Sequence, residues 1–355
     1  MRGGMDLQSG ESAGTNVDGR YSRQVLFRPI GRMGQEKLQH SRVAVVGLGA
    51  LGTVQATQLV RAGVGFVRLI DRDIVEESNL QRQSLYDEQD AQFGRAKAEA
   101  AAEKLRLANS KVIVEAQVND LTWRNAEDLL MDVDVMVDGT DNFEVRYLLN
   151  DVSVKHGIPW AYGGVVSSYG TLAFFQPGQT PCLACLFGDE SPAHQDTCDT
   201  IGVIAPAVSV VASLQVTEVL KFLTGNSENL SRELVQVDVW NTEFTRIQLG
   251  SPHAGCRCCQ KKEFPWLQAT QGDAMTVSLC GRHTIQVRPK DKGDLSLDEM
   301  AIRLAPLGQV RQNGSLLRFE MGRMTLTLFK DGRALIHGTD DPAEARSLYA
   351  RYIGM

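Results

Sequence analysis

The sequence shows no uninterrupted apolar run of the roughly 20 residues that a membrane helix needs, so no membrane partner is expected. It also lacks an excess of positive charge. The net charge is −6 and the pI about 5.6, which argues against a nucleic-acid binder that relies on broad basic patches. The opening stretch MRGGMDLQSGESAGTNVDG has no apolar core, which argues against a secretory signal. Its Gly, Ser, Asp and Asn content predicts a disordered tail over residues 1–18, and the cytoplasm is the expected compartment. No internal repeat occurs, and no low-complexity segment beyond that tail.

What is present is ordinary for a soluble globular protein: 43% hydrophobic and 23% charged residues. A chain of 355 residues predicts two domains, one large and one small. From VAVVG at 43–47 onward, short apolar runs alternate with helical patterns. FVRLID, KVIVEAQV and DVMVDGTD read as strands, and the segments between and after them read as helices. Near-continuous apolar strands predict an α/β fold, a Rossmann-like sheet covered by helices on both faces. After Pro159 the pattern changes. WAYGGVVSSYGTLAFFQPG reads as antiparallel strands, and residues 234–249 read as a hairpin around Asn241, making the sheet mixed. Between them APAVSVVASLQVTEVLKFLTG is a long apolar helix, with Pro206 near its start and Gly225 at its end.

These patterns predict a first domain over 19–260, a polar linker over 261–274 and a small α+β domain over 275–355. The small domain reads ββαβββα. Ser296 and Glu299 open its first helix as a capping box, turns fall near Gly322 and at Asp331-Gly332, and Asp341 caps its last helix.

GLGALG, Gly47 to Gly52, follows a strand and precedes a helix, as a phosphate-binding loop requires. Asp71 comes near the spacing expected of a carboxylate that binds ribose hydroxyls. This much also suits an NAD-dependent oxidoreductase. Arg82, Arg95 and Lys97, with Asn79 and Gln81, shift the balance toward a triphosphate, whose larger charge gains from several cations. A solvated helix face is the competing reading for Arg95 and Lys97. Asp141 and Asn142 follow a strand at its carboxyl end, where ligands bind in such sheets. Asp141 is a candidate Mg²⁺ ligand, and a helix N-cap is the other reading of the pair.

Seven cysteines cluster in a way that suggests metal or redox chemistry more than disulfides. Cys182-x-x-Cys185 and Cys256-x-x-Cys259 have the spacing of a four-thiolate Zn²⁺ site, and Cys258 leaves the second pair ambiguous. Cys198 stands in the polar stretch DTCDTIG, where it is either a reactive thiol or an inert one, and Cys280 reads as core.

In YSRQ (21–24), GLGALG, DRDIVEESNLQRQ (71–83), GRAKA (94–98), GTDN (139–142), PCLACL (181–186), CDTIGVIAPAVSVVASLQVTEVLKFLTG (198–225) and CRCC (256–259), the chain resembles the MoeB/ThiF/HesA family of adenylyltransferases. SNLQRQ together with GTDN discriminates far better than the glycine loop. The resemblance covers roughly residues 20–260. It implies that ATP is bound and that the C-terminal glycine carboxylate of a small ubiquitin-like sulfur-carrier protein, ThiS-like or MoaD-like, is adenylated. Carried over, Gly49 and Ala50 approach the phosphates and Asp71 binds ribose. Ser78, Asn79, Arg82 and Lys97 contact phosphates, and Asp141 holds Mg²⁺ beside Asn142. Arg23 reaches into a neighbouring subunit's site, which implies a homodimer. Cys198 matches a cysteine that joins covalently to the carrier in some relatives and is dispensable in others.

PCLACL, CDTIG and the C-terminal extension tilt the resemblance toward thiamin thiazole biosynthesis, with activation of a molybdopterin-synthase carrier as the alternative. A cysteine desulfurase is a candidate sulfur donor. Residues 275–355 show no Cys-centred rhodanese loop. They resemble the extension of certain bacterial ThiF-like proteins, and docking the carrier, docking the donor and stabilising a dimer are open roles. A non-catalytic scaffold is the remaining class, and the intact Arg82, Lys97 and Asp141 set argues against it.

Overall fold

Short runs rich in Val, Ile and Leu become strands because β-branched side chains fit a pleated surface packed on both faces. A computed structural model describes residues 19–188, 201–268, 276–279, 283–288 and 295–354. Two helices, α1 (Ser22–Leu26) and α2 (Gly31–His40), precede β1 (Arg42–Val46). Then follow α3 (Ala50–Ala62), β2 (Phe66–Ile70), α4 (Glu88–Gln92), α5 (Lys97–Ala108) and β3 (Ile113–Gln117). Next come α6 (Ala126–Leu130), β4 (Val135–Asp138) and α7 (Phe143–His156). The antiparallel part holds β5 (Trp160–Val166) and β6 (Tyr169–Phe175), then α8 (Leu183–Phe187) and α9 (Ala205–Thr224), and finally β7 (Glu233–Asp238) and β8 (Glu243–Gln248).

Among the described residues, eight strands form one sheet in the order β3-β2-β1-β4-β5-β6-β7-β8. The first five in that order run parallel, with Val43 opposite both Val67 and Val135, and the rest pair antiparallel. Every residue of β2 and β4 is buried, as helices on both faces demand. One apolar core, with Val45, Leu59, Val67 and Val137, lies on one face. The other, with Val46, Ile70, Met136, Leu149 and Trp160, lies on the opposite face. The order reverses on either side of β1, so the carboxyl ends of β1 and β4 flank a crevice.

The long apolar helix expected from the sequence forms as α9. By length and composition it is apolar enough to cross a membrane, but polar side chains interrupt it. Gln215 and Glu218 are buried and satisfied internally, Gln215 on the carbonyls of Asp138 and Ala161, and Glu218 by Lys221 at 2.6 Å. Of its most apolar stretch 56% is buried, against α3, β5 and β6, so it serves as a core helix of this sheet.

Residues 264–267, within the stretch expected as a linker, pack onto the first sheet's helices. Trp266 stacks on Tyr147 with ring centroids 5.1 Å apart, and its backbone N–H donates to Asp151 Oδ2 at 2.9 Å.

The remaining strands are β9 (Thr276–Leu279), β10 (Thr284–Val287), β11 (Gln309–Gln312), β12 (Leu316–Met321), β13 (Met324–Phe329) and β14 (Ala334–His337). Helix α10 (Leu297–Leu304) follows β10, and α11 (Pro342–Tyr352) ends the chain. The sheet runs β11-β12-β13-β14-β10-β9, antiparallel throughout. Ser296 Oγ accepts from the Glu299 N–H, one half of the expected capping box, and Asp341 caps α11 as the sequence predicts. Strand β11 was not anticipated, so the order becomes ββαββββα. Its sequence QVRQ holds one apolar residue and sits at the sheet edge, so it leaves no alternation to detect.

Trp266→Ala removes a half-buried ring stacked on Tyr147, and the expected cost is about 2 kcal/mol. A fall in the urea midpoint at unchanged slope checks it. An unchanged midpoint would show that this segment is not tethered to the first domain.

Candidate active site

The site begins where β1 stops. Gly47 adopts φ +83°, and a Cβ there would lie 2.9 Å from the Gly139 backbone. A Cβ on Gly52 would sit 1.8 Å from the Gly47 carbonyl oxygen. The loop therefore closes against both α3 and the turn after β4 only because these positions lack side chains. Helix α3 starts behind Gly49 with no side-chain cap, so first-turn N–H groups face the cleft and favour an anion.

Asp71, just past β2, is tied on both oxygens: Oδ2 accepts from the Leu48 N–H at 2.6 Å and Oδ1 from the Asp73 N–H at 2.7 Å. Burial pushes its carboxyl pKa up, while the Lys97 charge pulls the other way. Lys97, first in α5, is only 2% exposed and lies 3.5 Å from Asp73 Oδ2, which removes the solvated-face reading for it. Arg82 enters from the loop after the turn at 77–79 and donates to the Ser78 carbonyl at 2.7 Å.

At the end of β4, Asp138 forms a buried pair with Arg146 of α7. Arg146 Nε donates to Asp138 Oδ2 at 2.9 Å, and Nη2 donates to the carbonyls of Thr140 at 2.6 Å and Gly163 at 2.9 Å. Asp138 Oδ1 takes the Thr140 N–H and O–H at 2.9 and 2.7 Å. Burial disfavours the Arg146 cation, but Asp138, with Tyr162 and Asp141, outweighs it and holds the guanidinium pKa above its usual value. The loop 139–141 is thereby fixed. Asn142 Oδ1 caps α7 by accepting the Glu144 N–H at 2.8 Å, and Asp141 is left exposed at the cleft.

One cleft thus collects Gly47, Gly49, Ala50, Asp71, Arg82, Lys97, Asp141 and Asn142. Gly52 stands behind it as a contact. Asn79 is buried and closes its own turn, its Oδ1 accepting the Glu76 N–H at 3.2 Å, and neither it nor Ser78 lines the cleft. Arg95 pairs with Asp90 and Glu103 instead. Arg23 is exposed on α1, outside the lining. Cys198 and Cys280 lie outside the described residues.

Sequence reasoning missed Arg72, Asp120 and Arg146, which all line the cleft. Asp120 follows β3 at its carboxyl end, so the rule that found Asp141 was available for it. Arg72 and Asp120 pair at 3.3 Å. Burial pushes the Asp120 carboxyl up, but Arg72, Arg288 and Arg333 outweigh it and hold its pKa below the usual range.

On the far side of α7, the sulfurs of Cys182, Cys185, Cys256 and Cys259 all lie within 4.8 Å of one another and can hold a metal ion. Cys258 is not in that set. Its Sγ lies 3.4 Å from Asp151 Oδ1 and 3.2 Å from Asn150 Nδ2. The ambiguity in CRCC is thereby settled for the geometry.

A parallel-to-mixed sheet with a glycine loop, a carboxylate after β2 and converging cations defines a nucleotide-binding α/β protein. Residues 21–258 match the ThiF family, and the chain belongs to it. It is 46% identical over 340 residues to the sulfur carrier protein ThiS adenylyltransferase of Bacillus subtilis (strain 168), covering 95% of this chain and all of that one. It is 38% identical to a sulfur carrier protein adenylyltransferase of Thermus thermophilus, over 64% of this chain and 86% of that one. It is also 36% identical to the adenylyltransferase and sulfurtransferase MOCS3 of Culex quinquefasciatus, of which it spans 56%. A crystal structure of E. coli MccB with ATP superposes with a TM-score of 0.59 at 25% identity, covering 68% of this chain and 75% of that one.

Arg146→Met leaves Asp138 buried without its cation, and the expected loss is about 3 kcal/mol of stability, read as a lower urea midpoint. A midpoint equal to that of the unaltered protein would show that the pair does not hold the 139–141 loop.

Proposed function

We propose that this adenylyltransferase transfers AMP from ATP to the C-terminal glycine carboxylate of a small ubiquitin-like sulfur carrier, releasing pyrophosphate. The observation that carries the reading is the convergence of Asp71, Arg82, Lys97 and Asp141 on one cleft beside the glycine loop. A dinucleotide would need only the loop and Asp71. The 46% identity to a ThiS adenylyltransferase over 95% of this chain, against 36% to the MOCS3 relative over 69% of it, supports a carrier of the thiamin pathway over a molybdopterin-synthase carrier.

The chemistry asks for charge rather than for a base. The attacking carboxylate is already ionised at neutral pH. It approaches an anionic α-phosphate, so cations must offset the repulsion and hold the groups in line. Lys97, buried at the head of α5, and Arg82 supply fixed positive charge, which also stabilises departing pyrophosphate. The first turn of α3 offers N–H groups to the phosphates, and Asp71 faces the ribose. Asp141, the exposed carboxylate of the cleft, would hold Mg²⁺, which would neutralise phosphate charge. Arg23, exposed on α1, would complete the site of a second subunit in a homodimer. A cysteine desulfurase would supply the sulfur that converts the adenylate to a thiocarboxylate.

Zn²⁺ fits the four-cysteine cluster. Sulfur–sulfur separations of 3.8, 3.6 and 3.5 Å match the roughly 3.8 Å edge of a tetrahedron built on about 2.3 Å Zn–S bonds. The ion would clamp α8 to the segment after β8. Reduced thiolates and ATP use both suit the cytoplasm.

Carrier-dependent ATP–pyrophosphate exchange tests the reaction. Exchange is expected with a ThiS-like carrier, weaker exchange with a MoaD-like one, and a loss of about 10²-fold in Arg82→Ala. Unchanged exchange in a folded Arg82→Ala variant would remove Arg82 from the phosphates. Freshly purified protein is expected to hold one Zn²⁺ per chain, retained in Cys258→Ser and lost in Cys256→Ser. A content below about half a zinc per chain would overturn the metal assignment.

A further inference from the structure

The C-terminal sheet has two faces. On β10, Ile285 and Val287 join the core beneath α10 and α11. The alternate residues, Gln286 and the following Arg288, point the other way. The same division holds on β12 to β14. Leu317, Phe319, Leu328 and Ile336 belong to the helical side, whereas Leu316, Phe329 and Leu335 form a second small core with Ile74 and Ala96 of the first domain. Ile74 and Ala96 are bridged to each other across the loop between β2 and α5, the loop that carries Arg82 and ends at Lys97. The small sheet is therefore seated on the segment that builds the cleft.

The polar contacts of that interface reach the cleft itself. Gln286 Nε2 donates to Asp120 Oδ2 at 3.0 Å, and Arg288 pairs with the same oxygen. Asp120 Oδ1 is held by Arg72 at 3.3 Å. Arg333 is fully buried, stacks on Phe329 at 3.7 Å and donates to the Arg72 carbonyl at 2.8 Å. Arg72 and Asp120 line the cleft at the β3–β2 end of the sheet, whereas the glycine loop and Asp141 sit at the β1–β4 end. With phosphates on the glycine loop and ribose on Asp71, the nucleoside end of ATP falls against Arg72 and Asp120.

We propose that the C-terminal module positions the nucleoside side of the ATP site: Arg288 and Gln286 fix Asp120, and Arg333 fixes Arg72, so that the wall contacting the nucleoside exists only when the module is docked. The proposal rests on the adenylation reading. It makes Arg288 a positioning residue that acts on nucleotide binding, and it assigns the extension a role other than carrier or donor docking. A buried carboxylate stripped of one cation turns or takes up a proton, which changes the shape and charge of the wall it forms.

The test uses the full-length chain with Arg288→Gln and the charge-conserving Arg288→Lys. In carrier-dependent ATP–pyrophosphate exchange, Arg288→Gln is expected to raise the KM for ATP about tenfold, the size of one charge-assisted hydrogen bond, with kcat and the carrier KM within about twofold of the unaltered enzyme. Arg288→Lys is expected to restore most of the ATP KM. ATP affinity measured calorimetrically on the same proteins without carrier is expected to fall by the same factor. That second readout separates failures: an unaltered protein that binds ATP yet exchanges with no carrier refutes the adenylation reading, while the affinity comparison still judges the module. The positioning role is overturned if the carrier KM rises and the ATP KM does not. It is equally overturned if both stay unchanged, or if activity falls only in proportion to the folded fraction given by urea midpoint and active-site titration.

Discussion

Three glycines meeting without room for a methyl group set the geometry on which the cleft depends. The Gly47 carbonyl lies where a Cβ on Gly52 would sit 1.8 Å away and one on Gly139 2.4 Å away. That contact draws the end of β1, the start of α3 and the turn after β4 to a single point. The first turn of α3 and Asp141 then face the same space, although about 90 residues of chain separate them. Any side chain at these positions would part the strand ends, and the anion-binding N–H groups would no longer oppose the exposed carboxylate.

The charges around that point are arranged so that the empty cleft is tolerable. Asp71 surrenders both oxygens to backbone N–H groups, Lys97 leans on Asp73, and Asp138 is spent on Arg146 and Thr140. These bonds hold the buried carboxylates of Asp71 and Asp138 in place before any ligand arrives. Asp71 keeps acceptor capacity for hydroxyls beyond its two backbone bonds, and Lys97, Arg82 and the exposed Asp141 are left to meet ligand charge. A ligand with several negative charges and its cation fits that division, because it can engage Lys97, Arg82 and Asp141 while the backbone bonds to Asp71 and the Asp138–Arg146 pair stay intact.

Much of this was legible in the sequence because it is written locally. Alternating apolar runs and glycine punctuation gave the strands and helices around the cleft, and the Pro206 and Gly225 boundaries matched Ala205–Thr224. The glycine loop, Asp71 and Asp141 could be placed by their distance from strand ends, whereas Lys97 stood out only as one of several cations soon after Asp71. What was not legible depends on partners far along the chain. Arg146 is one cation on a helix until Asp138 and the Gly163 carbonyl surround it. Asp120 is one carboxylate in a turn until Arg288, 168 residues later, reaches it. Asn79 illustrates the opposite failure: a residue whose type suits a phosphate closes its own turn, because a short polar side chain bonds its own backbone as readily as a ligand. Strand β11 was invisible because an edge strand with one apolar residue carries no period.

The same logic explains why the cleft is braced from outside the sheet. The loop between β2 and α5 spans residues 71–96 and carries only short elements of its own, so its position must come from packing. On its inner side the Asp71 bonds fix its start, and the backbone bond from the Lys97 N–H to the Asp73 carbonyl, at 2.9 Å, closes it on itself. On its outer side Ile74 and Ala96 are covered by Leu316, Phe329 and Leu335 of the second sheet. A loop pinned on both sides holds Arg82 and Lys97 at fixed places before any ligand arrives. For a reaction between two anions, charge already in position contributes more than charge that must be gathered during the reaction.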